Sequence, residues 1–210
     1  NTDGNDDNRS WNCGVEGETE DPEVLRLRFR MIKNACAVLM CSRGTPMFLA
    51  GDEFGDTRFG NNNPYCLDNE ISWTNWNKTA MAKEIFEFTK NIIKFRKEHK
   101  VLHLKNETRQ MDYKSYGLPD MSYHGTKAWY GDFSHFNRHF SVMYCGKYAT
   151  IDGKEVMKLT CTLHTICIGK SKVLEFLQHE IKGNGRLLFQ PALIRKVKRW
   201  AEHLMYREGA

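Results

Sequence analysis

"TPMFLAGDEFGDTRFGNNNPYC", residues 45–66, holds the two features on which the fold turns. The opening "TPMFLAG" is short, apolar and bounded by Pro46 and Gly51. That is the pattern of a strand buried on both faces. A dense polar loop follows at once, with Asp52, Glu53, Asp56, three consecutive asparagines and Tyr65. Upstream, Asp21 is placed to cap a helix that has Pro22 at its first position and Glu23 in its first turn. Val24, Leu25, Leu27, Ile32, Ala35, Val38 and Leu39 give this helix an apolar face, and Gly44 stops it after Arg43, a favourable cation at the C-terminal dipole. Downstream, Met81, Ile85, Phe88, Ile92 and Phe95 predict a second helix over roughly 79–99. Helix, buried strand, loop, helix is the order at the end of an α/β repeat, in which ligands gather at the C-terminal ends of strands. Residues 51–76 stand at that end.

Residues 1–20 are rich in Asn, Asp, Gly and Glu and read as a long loop. From about residue 106 short aromatic and Gly-rich pieces take over, and the alternation of Phe140, Val142 and Tyr144 predicts strands of a second, smaller unit. No apolar run is long enough to span a bilayer. Asn1, with no charged and apolar leader behind it, suggests that the chain starts inside a processed or longer protein. The net charge of +5 does not mark a nucleic-acid partner. Residues 156–210 carry ten Lys/Arg against four Asp/Glu, whereas the rest carries 21 against 22. A phosphate-binding stripe would need the body to share that charge. Seven cysteines, an odd number with no C-x-x-C pair, argue against a disulfide framework or a zinc site and fit a reducing cytoplasm.

Asp52 and Glu53 are adjacent, and neighbours leaving a strand point to opposite sides. One cleft therefore rarely receives both as a hydrolytic pair, which would have to flank a single bond. The stretch also lacks the ligand spacing of a calcium loop, so neither a metal nor another cofactor is expected. Asn61, Asn62 and Asn63 with Tyr65, Trp73 and Trp76 allow two readings. Amides can read sugar hydroxyls while aromatic faces cover a pyranose. Alternatively, the loop bonds to itself over a core tryptophan. The histidines are scattered without an H-E-x-x-H pattern, and Ser10, Ser42 and Ser72 have no nucleophile-elbow context.

"NDDNRSWNCGVEGETEDPE", "SRGTPMFLAGDEFGDTRFGNNNPYCLDNEISW" and "LPDMSYHGTKAWYGDFSH" closely resemble bacterial glycogen-debranching enzymes of the isoamylase type, in the α-amylase superfamily of glycoside hydrolases. The resemblance runs from residue 1 to about 155. It implies an α/β fold: the C-terminal part of a (β/α)8 TIM barrel over 1–105, with 45–50 as the eighth strand and Asn1–Gly4 ending the loop after the seventh. The start of an all-β sandwich over 106–155 follows. The family's three catalytic carboxylates lie on strands four, five and seven and have no counterpart here, so no catalytic residue is expected in this chain. Asp52, Asn61, Asn62, Asn63 and Tyr65 are the expected substrate-binding residues. The implied substrate is an α-glucan (glycogen, amylopectin or limit dextrin) cut at α-1,6 branches in the cytoplasm, with no nucleic-acid or membrane partner. An N-terminal barrel segment is the expected folding partner. A non-catalytic α-glucan-binding module is the alternative, since it too would show a cleft wall without the acids.

After Glu155 the resemblance stops, and "VMKLTCTLHTICIGK" matches nothing in the family. Read from the third base of each codon, with synonymous codons chosen freely, this segment back-translates to "DEADMYIAYNMHWE", a family-like sequence. Residues 156–210 are therefore expected to be a frameshifted tail rather than a coherent domain. The gene's nucleotide sequence across codon 155 decides it, and an unshifted frame there would remove the idea.

Overall fold

Asp21 caps the first helix as its position requires. Its Oδ1 accepts the backbone N–H groups of Glu23 (2.8 Å) and Val24 (3.4 Å), two of the donors that a helix start leaves without partners. The helix, α1, runs Pro22–Cys41, and α2 runs Ala80–Glu98. The structure is a computed structural model and describes residues 10–76, 79–125, 129–137, 139–151, 154–155, 161–167, 175–179, 181–182 and 186–187. The expectation for Asn1–Gly4 lies outside those residues. The chain divides into two compact units, residues 1–39 with 46–93, and residues 40–45 with 94–210. The fold is thus mixed helix and sheet. No described helix is long and apolar enough to cross a membrane.

In the first unit the core holds Ala37, Phe54, Ile85, Phe88 and Ile92. The buried stripe of α1 differs from the apolar face read in the sequence. Ala35 and Val38 are exposed, whereas Lys33 (1% exposed) and Asn34 are buried. The reason lies on α2. Lys33 Nζ sits 2.7 Å from Glu84 Oε1 and 4.0 Å from the ring centre of Phe29, so a paired, ring-covered cation fills a core position. Burial still pulls its pKa below the ordinary lysine value, against the raising effect of Glu84.

Residues 45–50 depart from the expected buried strand. The segment has no strand assignment, no described strand pairs with it, and Met47 (85%) and Leu49 (74%) are largely exposed. An apolar pattern specifies that a strand should be buried, but ladder hydrogen bonds need neighbours, and none of the described residues supplies them.

The second unit contains a four-stranded antiparallel sheet in the order β1-β2-β5-β6: β1 Met121–His124, β2 His139–Tyr144, β5 Cys161–Cys167 and β6 Glu175–His179. Two short ribbons, β3–β4 (Thr150–Ile151 with Lys154–Glu155) and β7–β8 (Ile181–Lys182 with Arg186–Leu187), accompany it. The expected strand at 140–144 is present as β2, without the half-buried alternation. Ser141, Val142, Met143 and Tyr144 are all buried, and burial lifts the Tyr144 pKa to about 12. A cluster of Leu118, Met143, Cys145 and Tyr148 fills this core. The Tyr148 hydroxyl is shared between Asp112 Oδ1 (2.6 Å) and Leu118 O (2.8 Å).

His124 at the end of β1 is buried, and its ring is committed to one tautomer. The Trp129 N–H donates to Nδ1 at 2.7 Å, which leaves the proton on Nε2 to reach Ser122 Oγ at 2.9 Å. Burial holds its pKa below the ordinary 6.5. As pH falls past that value the unfolded chain takes up the proton first. The stability owed to neutral His124 is therefore present above about pH 6.5 and lost progressively below it. Thermal melts of the wild type should drop between pH 7 and 5, and His124→Gln should flatten that dependence. An equal pH slope in both proteins would count against this role.

Candidate functional site: the turn and loop at 51–76

Gly51 has φ 104°, and a Cβ there would lie 2.7 Å from the Asp56 Cβ, so this turn takes only glycine. The Gly51 carbonyl accepts the N–H groups of Phe54 (3.1 Å) and Asp56 (3.0 Å), and Phe54 is driven into the core. The two adjacent acids close the turn from outside. Asp52 Oδ2 accepts the N–H of Leu49 (3.0 Å), and Glu53 Oε2 accepts that of Gly51 (2.8 Å). Both carboxylates are thus bonded to their own backbone.

Beyond the turn, Asn61 Oδ1 accepts the Asn63 N–H at 2.8 Å, while the Asn61 N–H donates to Arg58 O at 3.0 Å. Asn62 and Tyr65 (79%) face outward. Arg58 Nη1 donates to the carbonyls of Trp73 (2.9 Å) and Ile71 (3.3 Å) and lies 3.4 Å from Asp56 Oδ2, tying both ends of the loop together. Trp73 Nε1 donates to Asp68 Oδ1 at 2.8 Å, and Trp76 packs 5.9 Å from Phe54 between ring centres. The loop is therefore bonded to itself, as one reading of the sequence held. Its tryptophans, however, are exposed rather than core. Amides and aromatic faces stand on one loop with no cation in excess.

The five expected substrate-binding residues all sit on this loop, but none lines the open cavity of about 1230 Å3 in the same unit. Trp11, Asn12, Glu16, Asp56 and Phe59 line it, together with apolar side chains such as Met31 of α1 and Met81 of α2. Trp11 and Phe59 fall outside the binding residues expected from the sequence. The signal was available in two aromatic residues, each set among polar ones in a Gly-containing loop.

Among the described residues no group of three or more His, Cys, Asp or Glu could hold a metal ion. Cys13, Cys36, Cys41, Cys66 and Cys145 are free thiols, and Cys66 is exposed. Cys36 has its pKa raised, chiefly by burial.

No family model matches the chain. Curated proteins do. The glycogen operon protein GlgX homolog of Mycobacterium tuberculosis is 50% identical over 101 residues, 48% of this chain and 14% of that protein. Isoamylase 3, chloroplastic, of Oryza sativa is 50% identical over 101 residues, 48% of this chain and 13% of the relative. Isoamylase 1, chloroplastic, of Arabidopsis thaliana is 45% identical over 107 residues, 50% and 14% respectively. About half of this chain is homologous to GlgX/isoamylase glycogen-debranching enzymes. The matched stretch spans about one seventh of those relatives' own length.

Proposed function

We propose that this chain is a stretch of an α-1,6-glucan debranching hydrolase that contributes one wall of the substrate cleft and none of the catalytic carboxylates. The observation that carries this reading is the division of labour within 51–76. The acids Asp52 and Glu53 are bonded to the turn backbone, while Asn62, Tyr65, Trp73 and Trp76 offer amide and aromatic surface outward. Such surface suits a neutral polyol with an apolar ring face. The exposed, unpaired segment at 45–50 takes its neighbours from an upstream barrel segment, in which it is the eighth strand. The second unit opens a β-sandwich. The substrate is a glycogen-, amylopectin- or limit-dextrin-type glucan, and the free thiols of Cys13, Cys36, Cys41, Cys66 and Cys145 suit a cytoplasmic setting. A non-catalytic α-glucan-binding module is the second reading, favoured by the same bonded carboxylates. It differs in needing no upstream strand.

The test is affinity electrophoresis of the 210-residue chain in native gels with and without amylopectin. The wild type should be retarded. A buried sugar hydrogen bond whose partner is stranded costs about 1–3 kcal/mol, so Asn62→Ala should weaken retention about ten- to a hundredfold. Tyr65→Ala should act in the same direction. Unaltered retention in both variants would remove these residues from the site. A wild type that runs alike in both gels would remove the glucan reading itself.

A further inference from the structure

The cavity beside the loop is bounded by parts that no role above has used. The turn at 11–17 is fixed by a single side chain, Arg28 of α1. Its Nε and Nη2 donate to the Asn12 carbonyl at 3.1 and 3.0 Å, Nη1 donates to Gly17 O at 2.8 Å, and Nη2 also reaches Val15 O. One guanidinium thus holds three carbonyls of one turn, so the turn is a built wall rather than a loose loop. Asn12 extends the wall, its Nδ2 donating to Glu16 Oε2 at 3.1 Å. Trp11 lines the cavity from this wall and is 59% exposed.

Phe59 reaches the lining from a tight turn. Phe59 has φ 53° and Gly60 φ 81°. The Asn61 N–H donates back to Arg58 O at 3.0 Å, closing a tight turn whose two central residues are left-handed, with Gly60 taking that conformation at no steric cost. The result sets the Phe59 ring, 60% exposed, on the cavity lining.

Charge narrows the choice of ligand. The lining carries Glu16, Glu18 and Asp56, and its cation, Arg28, is already committed to carbonyls. A phosphate or carboxylate ligand would meet repulsion without a fresh positive partner. A neutral sugar would meet acceptors for its hydroxyls and aromatic faces for its ring. The volume of about 1230 Å3 exceeds the roughly 300–1,000 Å3 of small-molecule pockets, which leaves room for several sugar units.

We propose that this cavity is a second carbohydrate-binding site, taking a neutral glucan chain between Trp11 and Phe59, with Arg28 as the positioning residue of the Trp11 wall. The proposal rests on the α-glucan reading above and assigns it a new surface, separate from Asn62 and Tyr65. The experiment uses the same chain and the same amylopectin gels, with maltoheptaose as a soluble competitor. Trp11→Ala and Phe59→Ala should each weaken retention about five- to tenfold, the scale of one lost aromatic–sugar contact. Trp11→Phe should keep most of it. Arg28→Met should weaken retention although it touches no sugar, and the indole fluorescence of Trp11 should shift toward that of a solvated ring; Arg28→Lys should not rescue either property. Retention that survives in Trp11→Ala and Phe59→Ala, with a wild type that is retarded, would overturn this site alone and assign the cavity to a protein segment. Loss in Trp11→Ala together with Trp11→Phe, while circular dichroism shows a collapsed fold, would overturn it too, because Trp11 would then be a packing residue. A wild type that is not retarded would end both readings.

Discussion

The purified 210-residue chain, incubated with amylopectin, is expected to release no reducing ends above a mock purification. Glycosidic cleavage by two carboxylates needs a protonated acid and an ionised partner on opposite sides of one bond, about 5–5.5 Å apart for retention or about 6.5–9.5 Å for inversion. The adjacent acids of this chain are engaged otherwise. Asp52 holds the Leu49 N–H and Glu53 holds the Gly51 N–H, so each carboxylate is turned onto the Gly51–Phe54 turn rather than toward a shared bond. Enzymes of this kind accelerate their reactions by at least about a millionfold, so a working pair would be plain in a reducing-end assay. Asp52→Asn and Glu53→Gln should disturb the turn and leave that blank result unchanged. Released reducing ends that vanish in either variant would place the catalytic acids inside this chain and overturn the proposed division of the enzyme.

The largest stability loss should come from Arg96→Met. Arg96 is buried on α2, and its Nη1 donates to the carbonyls of Met40 (2.6 Å) and Ser42 (2.7 Å) while Nη2 donates to Gly44 O (2.7 Å). Met40 belongs to the last turn of α1, whose carbonyls have no intrahelical partners, and Ser42 and Gly44 lie just beyond it. Charged hydrogen bonds of this kind are worth about 1.5–3 kcal/mol each, and a stranded buried acceptor costs about 1–3 kcal/mol. Ser42 and Gly44 are exposed enough for water to replace the side chain, so the whole loss should be about 2–4 kcal/mol rather than the sum. That corresponds to a fall in Tm of about 5–15 °C. Arg96→Lys should recover a minority of it, because an ammonium cannot span three carbonyls with one planar fork. A Tm within a degree of wild type for Arg96→Met would show that the helix end is satisfied without this clamp.

The N-terminal end of α1 was legible in the residues, because capping is local. Asp21 and Pro22 act on N–H groups two and three positions away. The same locality made Gly51 readable as a breaker and α2 readable from its apolar spacing, within a residue or two of Ala80–Glu98. The exposed polar loop was legible too: it follows an apolar segment and carries Asn62 and Tyr65 at the surface. The cavity that Trp11 and Phe59 line was not, since it joins a turn at 11–17 to one at 56–60 through contacts that no sequence period records.

Only the tertiary structure decided what the C-terminal end of α1 binds. Arg43 was expected to complement the helix dipole from within the last turn. The helix ends at Cys41, and Arg43 instead donates to the carbonyls of Leu104 (3.1 Å) and Asn106, while Arg96 from α2 takes the helix end. Likewise Lys33 reads as a surface residue until Glu84 on α2 brings its counter-charge. Residues 45–50 encode two apolar faces, yet they remain unpaired where no described strand lies beside them. A sequence fixes local dihedral preference and the wish to be buried, because both act over a few residues. Partners for charge, carbonyl and strand edge come from distant segments, and only folding brings those within reach.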